Sequence, residues 1–313
     1  MLRLILRRLL ISVPLLLLVS LLTFVLQALT PGDTARTILG NTFTQEGYLQ
    51  LRHQLGLDEP VLTQYWHWLS GALRGDLGVS PISGLDVGQQ ITSRLGVTLS
   101  LIVCATVLAA LAGVALGVVS AIRGGAFGRL VDALSLVGFA VPVFWFSLVL
   151  VTVFAVTLGL LPATGYVDPA TSLSGWAGSI ALPVVALALA PTAVIAKQTR
   201  DGMLDALSRD FVHSLRANGA AERSIVLRHA LRNAAIPVVT VIGLVFVGLL
   251  TGTVFVEAVF AMPGLGGLAV QSTVQHDLPV IQGIAVTFTV IVVLVNLLVD
   301  ITYGLLNPKV RAR

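Results

Sequence analysis

Apolar residues fill six long stretches of this chain, and polar residues separate the stretches. The stretches lie at about 9–29, 97–121, 131–161, 179–196, 234–256 and 280–304. A helix that crosses a bilayer needs roughly 20 apolar residues. The fourth stretch contains Pro183 and Pro191, so we expect a kinked helix there. The pattern predicts an all-α integral membrane protein with six transmembrane helices.

Composition supports this prediction. Hydrophobic residues make up 56% of the chain and charged residues only 11%, whereas about 25% of a soluble domain is charged. The single Cys104 cannot form an internal disulfide or a thiolate metal cluster, so we interpret it as a small apolar side chain. The first apolar stretch is too long for a signal peptide and no small-residue cleavage site follows it, so we expect it to remain.

The placement of basic residues predicts the orientation of the chain. If the N-terminus is cytoplasmic, fifteen of the nineteen Lys and Arg residues lie in cytoplasmic segments, and the loops at 162–178 and 257–279 contain none. Lys and Arg are enriched in cytoplasmic loops. We therefore expect a multi-pass protein of the cell membrane with both termini, including Lys309, Arg311 and Arg313, in the cytoplasm.

Three regions follow from this topology: an N-terminal transmembrane helix at 1–30, an external cap at 31–96 and a membrane core with five helices at 97–313. The cap is too long for a plain turn. Its apolar spacing predicts short amphipathic helices, and its glycines and proline predict turns. The residues that carry these two predictions are Leu51, Leu55, Tyr65, Trp66 and Leu69 for the helices and Gly75, Gly78, Pro81 and Gly84 for the turns.

The segment at 197–233 has a helical pattern but no long apolar run. Apolar residues recur at helical spacing from Met203 to Leu215, Gly219 interrupts the pattern, and a second helical stretch runs from Ala220 to Leu231. A pair of helices on the cytoplasmic side of a membrane protein is a natural docking surface for a partner.

The chain lacks the motifs of an ATPase or an enzyme. A nucleotide-binding P-loop requires Gly before its Lys, but Lys197 follows Ala196 and Lys309 follows Pro308. The chain also has no H-E-x-x-H zinc motif and no G-x-S-x-G nucleophile elbow. The centres of the predicted spans are almost free of charge, which disfavours a proton relay. We therefore expect a non-catalytic membrane subunit that binds no cofactor, metal or nucleic acid and is driven by a separate ATPase.

Several segments resemble the dipeptide and oligopeptide (B-type) permeases of binding-protein-dependent ABC importers. The closest resemblance is in DFVHSLRANGAAERSIVLRHALRNAAIP at 210–237, and the segments LRLILRRLL, LTPGD, LGLDEPVLTQYWHWL, RGDLGVS, VEAVFAMPGLGGL and VNLLVDITYGLLNPKVR follow the same order over the whole chain. The resemblance implies a type I importer permease fold. It also implies four kinds of partner: the lipid bilayer, a second homologous permease in a heterodimer, ATPase subunits that hold ATP and magnesium, and an external substrate-binding protein.

The resemblance also implies a set of residues that would couple to the ATPases: Asp210, Phe211, Leu215, Arg216, Gly219 and Arg223. The residues themselves predict a second set that would form the pathway or its gate: Pro142, Glu257, Pro263 and Gly264. Pro142 could instead be a static bend, and Glu257 could instead mark the membrane surface. The wider importer pattern has E-A-A where this chain has His213, Ser214 and Leu215, and Pro where it has Arg232.

Alternatives remain open at this point for the cargo and for helix packing. The resemblance implies import of peptides by alternating access; a related importer could instead carry nickel or another small solute, and a different class would be a membrane scaffold or sensor that transports nothing. The small-residue stripe from Ala109 to Ala121, with Gly113 and Gly117, could pack within the chain or against a second permease. Gly248 and Gly252 present the same two alternatives.

Overall fold

The computed structural model describes residues 2–32 and 34–306. This part of the chain is helical, with one isolated antiparallel bridge between Val79 and Asp86 and no longer strand. The elements in chain order are α1 (Leu2–Leu29), α2 (Thr34–Leu39), a 3-10 turn (Gly40–Thr42), α3 (Gln45–Gln54), α4 (Val61–Ala72), α5 (Val87–Arg123), α6 (Gly125–Ala140), α7 (Val143–Leu150), a π-helical turn (Val151–Thr157), α8 (Leu173–Leu207), α9 (Asp210–Ala217), α10 (Glu222–Ser224), a second π-helical turn (Ile225–Ala230), α11 (Leu231–Val259), α12 (Leu265–Val274) and α13 (Leu278–Leu306).

Among the described residues, five helices are long and apolar enough to cross a membrane, and the bent pair α6–α7 makes a sixth span if the pair is counted as one. The five unbroken spans are longer than predicted from hydropathy, and the differences are largest for α5 and α8. α5 begins ten residues early, at Val87, where the Asp86 side chain accepts a hydrogen bond from the Gln89 N–H at 2.8 Å. α8 runs for 35 residues through both Pro183 and Pro191. Hydropathy marks only the membrane-buried part of each helix, which explains the difference.

The third predicted span, which is long enough to include a turn, is interrupted. α6 ends at Ala140, α7 begins at Val143, and the two helices meet at 98°. Val141 is extended, with ψ 122°, and Pro142 has φ −63° and ψ 129°. Proline has no N–H to donate and pushes the residue before it out of the helical region. The pair Val141–Pro142 therefore ends the helix and does not simply kink it.

The chain divides into two compact units. The first contains Leu99–Met262 and the described residues from Val295 onward. Within it α8 packs against α6, α7 and α11. The second contains Leu2–Thr98 and Pro263–Leu294. The predicted regions 1–30, 31–96 and 97–313 divide the chain by position relative to the membrane, whereas the two units divide it by internal contacts. The three regions therefore stay a prediction.

Small residues let α8 approach α5 closely in the first unit. A Cβ atom added to Gly117 would lie 2.6 Å from the Ala196 carbonyl oxygen and 2.6 Å from the Thr199 Cβ, and one added to Gly113 would lie 2.8 Å from the Ile195 Cβ. Glycine permits such contacts because it has no side chain. These two members of the predicted stripe therefore pack within the chain, which resolves the alternative left open above.

The second unit contains the short helices predicted for the 31–96 segment, and its turns at Gly75, Gly78 and Gly84 have positive φ. Tyr65 of α4 is buried against Phe24 of α1, with ring centroids 5.7 Å apart, and its hydroxyl lies 2.9 Å from the Ser20 hydroxyl. A core that includes Val87, Ile91, Leu265, Leu268, Val280 and Ile284 joins α5, α12 and α13. The predicted short helices and turns are confirmed.

Candidate functional site

The 197–233 segment lies between two long helices and is itself mostly helical. α8 continues past its apolar part to Leu207, and a continuous helical stretch begins at Glu222 and runs to Val259. A buried cluster fixes the two stretches to each other: Val118, Ala121, Met203, Ala206, Val226, Ala230 and Ala234. Between them stands the short helix α9. The segment is therefore a shaped projection anchored at both ends.

α9 is separate from α8, although one helix was predicted from Met203 to Leu215. The break is at Ser208 and Arg209, where the Arg209 backbone is extended, with φ −79° and ψ 150°. The Ser208 hydroxyl donates a hydrogen bond to the Asp205 carbonyl at 2.9 Å, and such local side-chain bonds compete with the helix. The apolar spacing continues across the break, so the pattern alone could not reveal it.

Gly219 ends α9 by a specific backbone geometry. Its φ is +75°, the Gly219 N–H donates to the Arg216 carbonyl at 3.0 Å, and the Ala220 N–H donates to the Leu215 carbonyl at 3.0 Å. This pair of bonds is the Schellman motif, in which a left-handed residue satisfies the last carbonyls of a helix. The predicted break at Gly219 is therefore confirmed.

Of the six residues assigned to ATPase coupling, four lie on α9, Gly219 lies in the turn after it, and Arg223 lies on α10. Phe211 and Leu215 are half-buried, and Asp210, Arg216, Gly219 and Arg223 are exposed. Val212 is fully buried and anchors the helix. Val212 was missed because one valine in a polar segment gives no distinct signal. The structure places the six residues together; their role in coupling stays a prediction.

Arg216 is already paired within the segment. Its Nη2 lies 2.6 Å from Glu222 Oε1 and its Nε 3.2 Å from Glu222 Oε2. The hydrogen bond from Arg216 holds the pKa of the Glu222 carboxyl below its usual range. Glu222 was not among the predicted site residues. The only sequence signal for it was an acidic residue six positions after an arginine, across a glycine turn.

The predicted pathway residues lie in both units. In the first unit, Pro142 forms the break between α6 and α7 described above, and Glu257 lies near the end of α11 with a side chain that is only 1% exposed. In the second, Pro263 is exposed and Gly264 is buried and precedes α12. The segment after Pro263, expected to be a loop, is therefore a short helix. The Glu257 carboxylate is not accessible here, and the gating roles stay predictions.

The start of α12 is held by a residue that the sequence did not indicate. The Thr98 hydroxyl accepts a hydrogen bond from the Leu265 N–H at 2.8 Å, and both residues are fully buried. This bond satisfies one of the N–H groups that a helix leaves free at its N-terminus. Thr98 therefore fixes the Pro263–Gly264 turn in place.

The bent pair encloses apolar space in the first unit. A cavity of about 650 Å³ lies among α5, α6, α7 and α8, with Trp145 and Phe146 in its lining. A cavity of about 310 Å³ lies among α6, α7, α8 and α11 and is lined in part by Gly248 and Gly252. Neither lining contains a charged side chain. These cavities therefore offer no ionic partner to a charged solute.

Comparison with known proteins agrees with this architecture. The family model described as binding-protein-dependent transport system inner membrane component matches residues 113–312, and the model of the N-terminal part of such membrane components matches residues 1–102. The chain belongs to this family. It is therefore a membrane permease subunit of the ABC importer class, with the type I importer permease fold.

Individual relatives cover this permease almost completely. It is 40% identical over 309 residues to a protein of Brucella abortus named as a peptide transport system permease, covering 98% of each chain. It is 36% identical over 336 residues to the dipeptide transport system permease protein of Escherichia coli, covering 99% of each chain. Among solved structures, a chain of the MetNI methionine ABC transporter in inward-facing conformations matches with a TM-score of 0.59 and 18% identity, covering 70% of this chain and 97% of that one.

Proposed function

We propose that this permease imports peptides of the dipeptide and oligopeptide class, powered by separate ATPase subunits that dock on α9. The observation that carries the proposal is the geometry of α9: an exposed two-turn helix, closed by a Schellman turn, between two long helices that continue into membrane spans. Full-length identity to permeases named for peptides supports the cargo. The chain itself supplies no catalytic chemistry.

The docking surface has both apolar and charged groups. The half-buried side chains of Phe211 and Leu215 provide apolar contact. The exposed side chains of Asp210 and Arg223 provide charge at the edges of the docking surface. Apolar centres with polar rims are typical of specific protein interfaces. ATP binding would favour the ATPase arrangement that moves α9 toward an outward-open pathway, and hydrolysis would reset it, because nucleotide binds the two arrangements with different affinity.

The orientation and the partners follow from the same proposal. The 197–233 segment, rich in Lys and Arg, faces the cytoplasm together with both termini, as positive-inside placement predicts. The 31–96 segment then faces an external binding protein that delivers peptide. A second homologous permease completes the pathway, because the two apolar cavities of the first unit supply no charged groups for peptide termini.

Purification of the tagged chain from native membranes tests the docking surface. We expect ATPase subunits and a second permease to co-purify, and we expect Gly219→Ala to release the ATPases. Gly75→Ala is the matched control, because both glycines have positive φ and open space around them, so both substitutions impose the same backbone strain of about 1–2 kcal/mol. Phe211→Ala, compared with Phe43→Ala in the 31–96 segment, tests the apolar contact in the same way.

Uptake by cells that lack the gene identifies the cargo. Restoring the chain should restore ATP-dependent uptake of radiolabelled alanyl-alanine or penta-alanine, and the ratio of the two gives the length preference. Restored uptake of nickel-63 without peptide uptake would replace the peptide assignment. A chain that binds partners but changes no uptake would be a scaffold or sensor, and the transport proposal would be wrong.

A further inference from the structure

An ion pair crosses the turn that separates α9 from the helix after it. The guanidinium of Arg216, in the last turn of α9, makes two hydrogen bonds to the carboxylate of Glu222, the first residue of α10. Two parallel N–H···O bonds fix the relative orientation of both groups, which a single contact does not. The pair therefore constrains the angle between two helices whose connecting turn contains Gly219.

The other end of α9 carries an ion pair with a single contact. Arg209 Nη2 lies 2.6 Å from Asp205 Oδ2, and Asp205 belongs to α8. α9 has only eight residues, and an isolated helix of this length is barely stable in water. Val212 is its one fully buried side chain and anchors the helix. Its orientation therefore depends on the backbone bonds of its turns and on these two ion pairs.

Glu222 also begins a structure that reaches the membrane. The helical stretch Glu222–Val259 is continuous through a π-helical turn at Ile225–Ala230 and becomes a membrane span. A force applied to α9 therefore reaches Glu222 through the Arg216 side chain as well as through the four residues of the turn. The two side-chain hydrogen bonds add a second connection across a turn that contains glycine.

We propose that Arg216 and Glu222 are positioning residues that fix the angle of α9 to the helix beginning at Glu222, so that displacement of α9 moves α11. The inference rests on the proposed function, in which ATPases act on α9. It gives Arg216 a role inside the segment and makes Glu222, which was not among the predicted site residues, a determinant of coupling. The lowered pKa of the Glu222 carboxyl agrees with a pair that stays ionised across neutral pH.

Charge reversal separates this role from direct contact with a partner. The variants are Arg216→Glu, Glu222→Arg and the double reversal, with Arg228→Glu as the matched control, because Arg228 is exposed in the same segment and makes no ion pair among the described residues. We expect each single reversal to lower alanyl-alanine taken up per ATP hydrolysed by roughly fivefold, the upper end for an exposed ion pair. The double reversal should restore most of it, and Arg228→Glu should have no effect.

A distance measurement on the purified chain gives a readout that needs no partner. Spin labels at Ser214→Cys and Asn233→Cys, in a Cys104→Ser background, report the separation of α9 from α11. We expect one narrow distance distribution in the parent chain, a broadened one in each single reversal, and a narrow one again in the double reversal. The narrow distance distribution and peptide uptake should therefore both be lost in the single reversals and both return in the double reversal.

Three outcomes would overturn the inference. Single reversals without effect on the distance distribution would show that the pair does not position α9. Single reversals that stop transport, with a double reversal that restores the distance but not transport, would show that Arg216 or Glu222 contacts the ATPase directly. If the parent complex shows no ATP-dependent uptake while the distances behave as expected, the proposed function itself fails and the coupling role fails with it.

Discussion

Gly117→Ala tests the close contact between α5 and α8. The added methyl group would meet the Ala196 carbonyl oxygen at 2.6 Å, the Thr199 Cβ at 2.6 Å and the Arg200 backbone nitrogen at 3.0 Å. Two of these three atoms belong to the backbone of α8, so they cannot rotate away. α5 and α8 must separate by roughly 1 Å to restore ordinary contact distances of about 3.5 Å.

Overpacking of this kind costs about 3 kcal/mol, the upper part of the usual range, because backbone atoms must move. Replacing Gly by Ala within a helix also gains up to about 1 kcal/mol in helix propensity. Gly248→Ala on α11 provides a matched control, since a Cβ there has no neighbour within 4 Å. The propensity gain is common to both variants, so the difference between them isolates the packing cost.

Thermal unfolding in a mild detergent, at one fixed heating rate, measures that difference. We expect the apparent Tm of Gly117→Ala to lie at least about 6 °C below that of Gly248→Ala, from 2–4 °C per kcal/mol for large domains. Equal melting temperatures would refute the close approach of α5 and α8. A lower Tm for Gly248→Ala would show instead that α11 meets a neighbour that the single chain does not contain.

Two further substitutions concern the second compact unit. Thr98→Val leaves the buried Leu265 N–H unpaired and should destabilise the chain by about 1–3 kcal/mol, measured by thermal unfolding against exposed Thr92→Val; equal stability would show that the cap is dispensable. Burial raises the pKa of the Asp277 carboxyl, and this effect exceeds the lowering by the hydrogen bonds from the Ser80 hydroxyl and the Val280 N–H. The folded state therefore favours the protonated acid. The free energy of unfolding then decreases as the pH rises from the ordinary carboxyl pKa to the raised pKa. Asp277→Asn should therefore melt higher than the parent by a margin that grows as the pH rises from about 4, the ordinary Asp pKa, to the raised pKa of Asp277, and a margin that does not change with pH would contradict this.

Membrane spans were predictable because a helix in lipid needs about 20 mostly apolar residues, and one polar residue does not remove this pattern. Five of the six apolar stretches occur as single long helices and the third as the bent pair α6–α7. The Gly219 break was predictable because few other residues take positive φ without strain. The 98° bend at Pro142 was only partly predictable, since proline in a span can kink, break or merely bend it. Its extent depends on what packs around it.

Residues that act through contact were the hardest to predict. Glu222 and Thr98 make the bonds that shape the 210–224 region and the start of α12, yet each is six or more positions from its partner, and Thr98 is 167 positions from Leu265. No periodicity links such residues. Glu257 was predicted for its charge and position, but its burial could not be foreseen, because the sequence does not indicate which face of a helix end is covered.

The length of α8 determines how far a small rotation is amplified. At 1.5 Å per residue its 35 residues span roughly 52 Å, whereas the hydrocarbon layer is about 30 Å thick. About 20 Å of the helix is therefore left for tilt within the layer or for extension beyond it. Where all of this length extends as one rigid segment, a tilt of about 10° displaces its tip by about 3.5 Å. The length of α8 thus converts a small tilt of the membrane span into a displacement of several ångströms at the end of the helix.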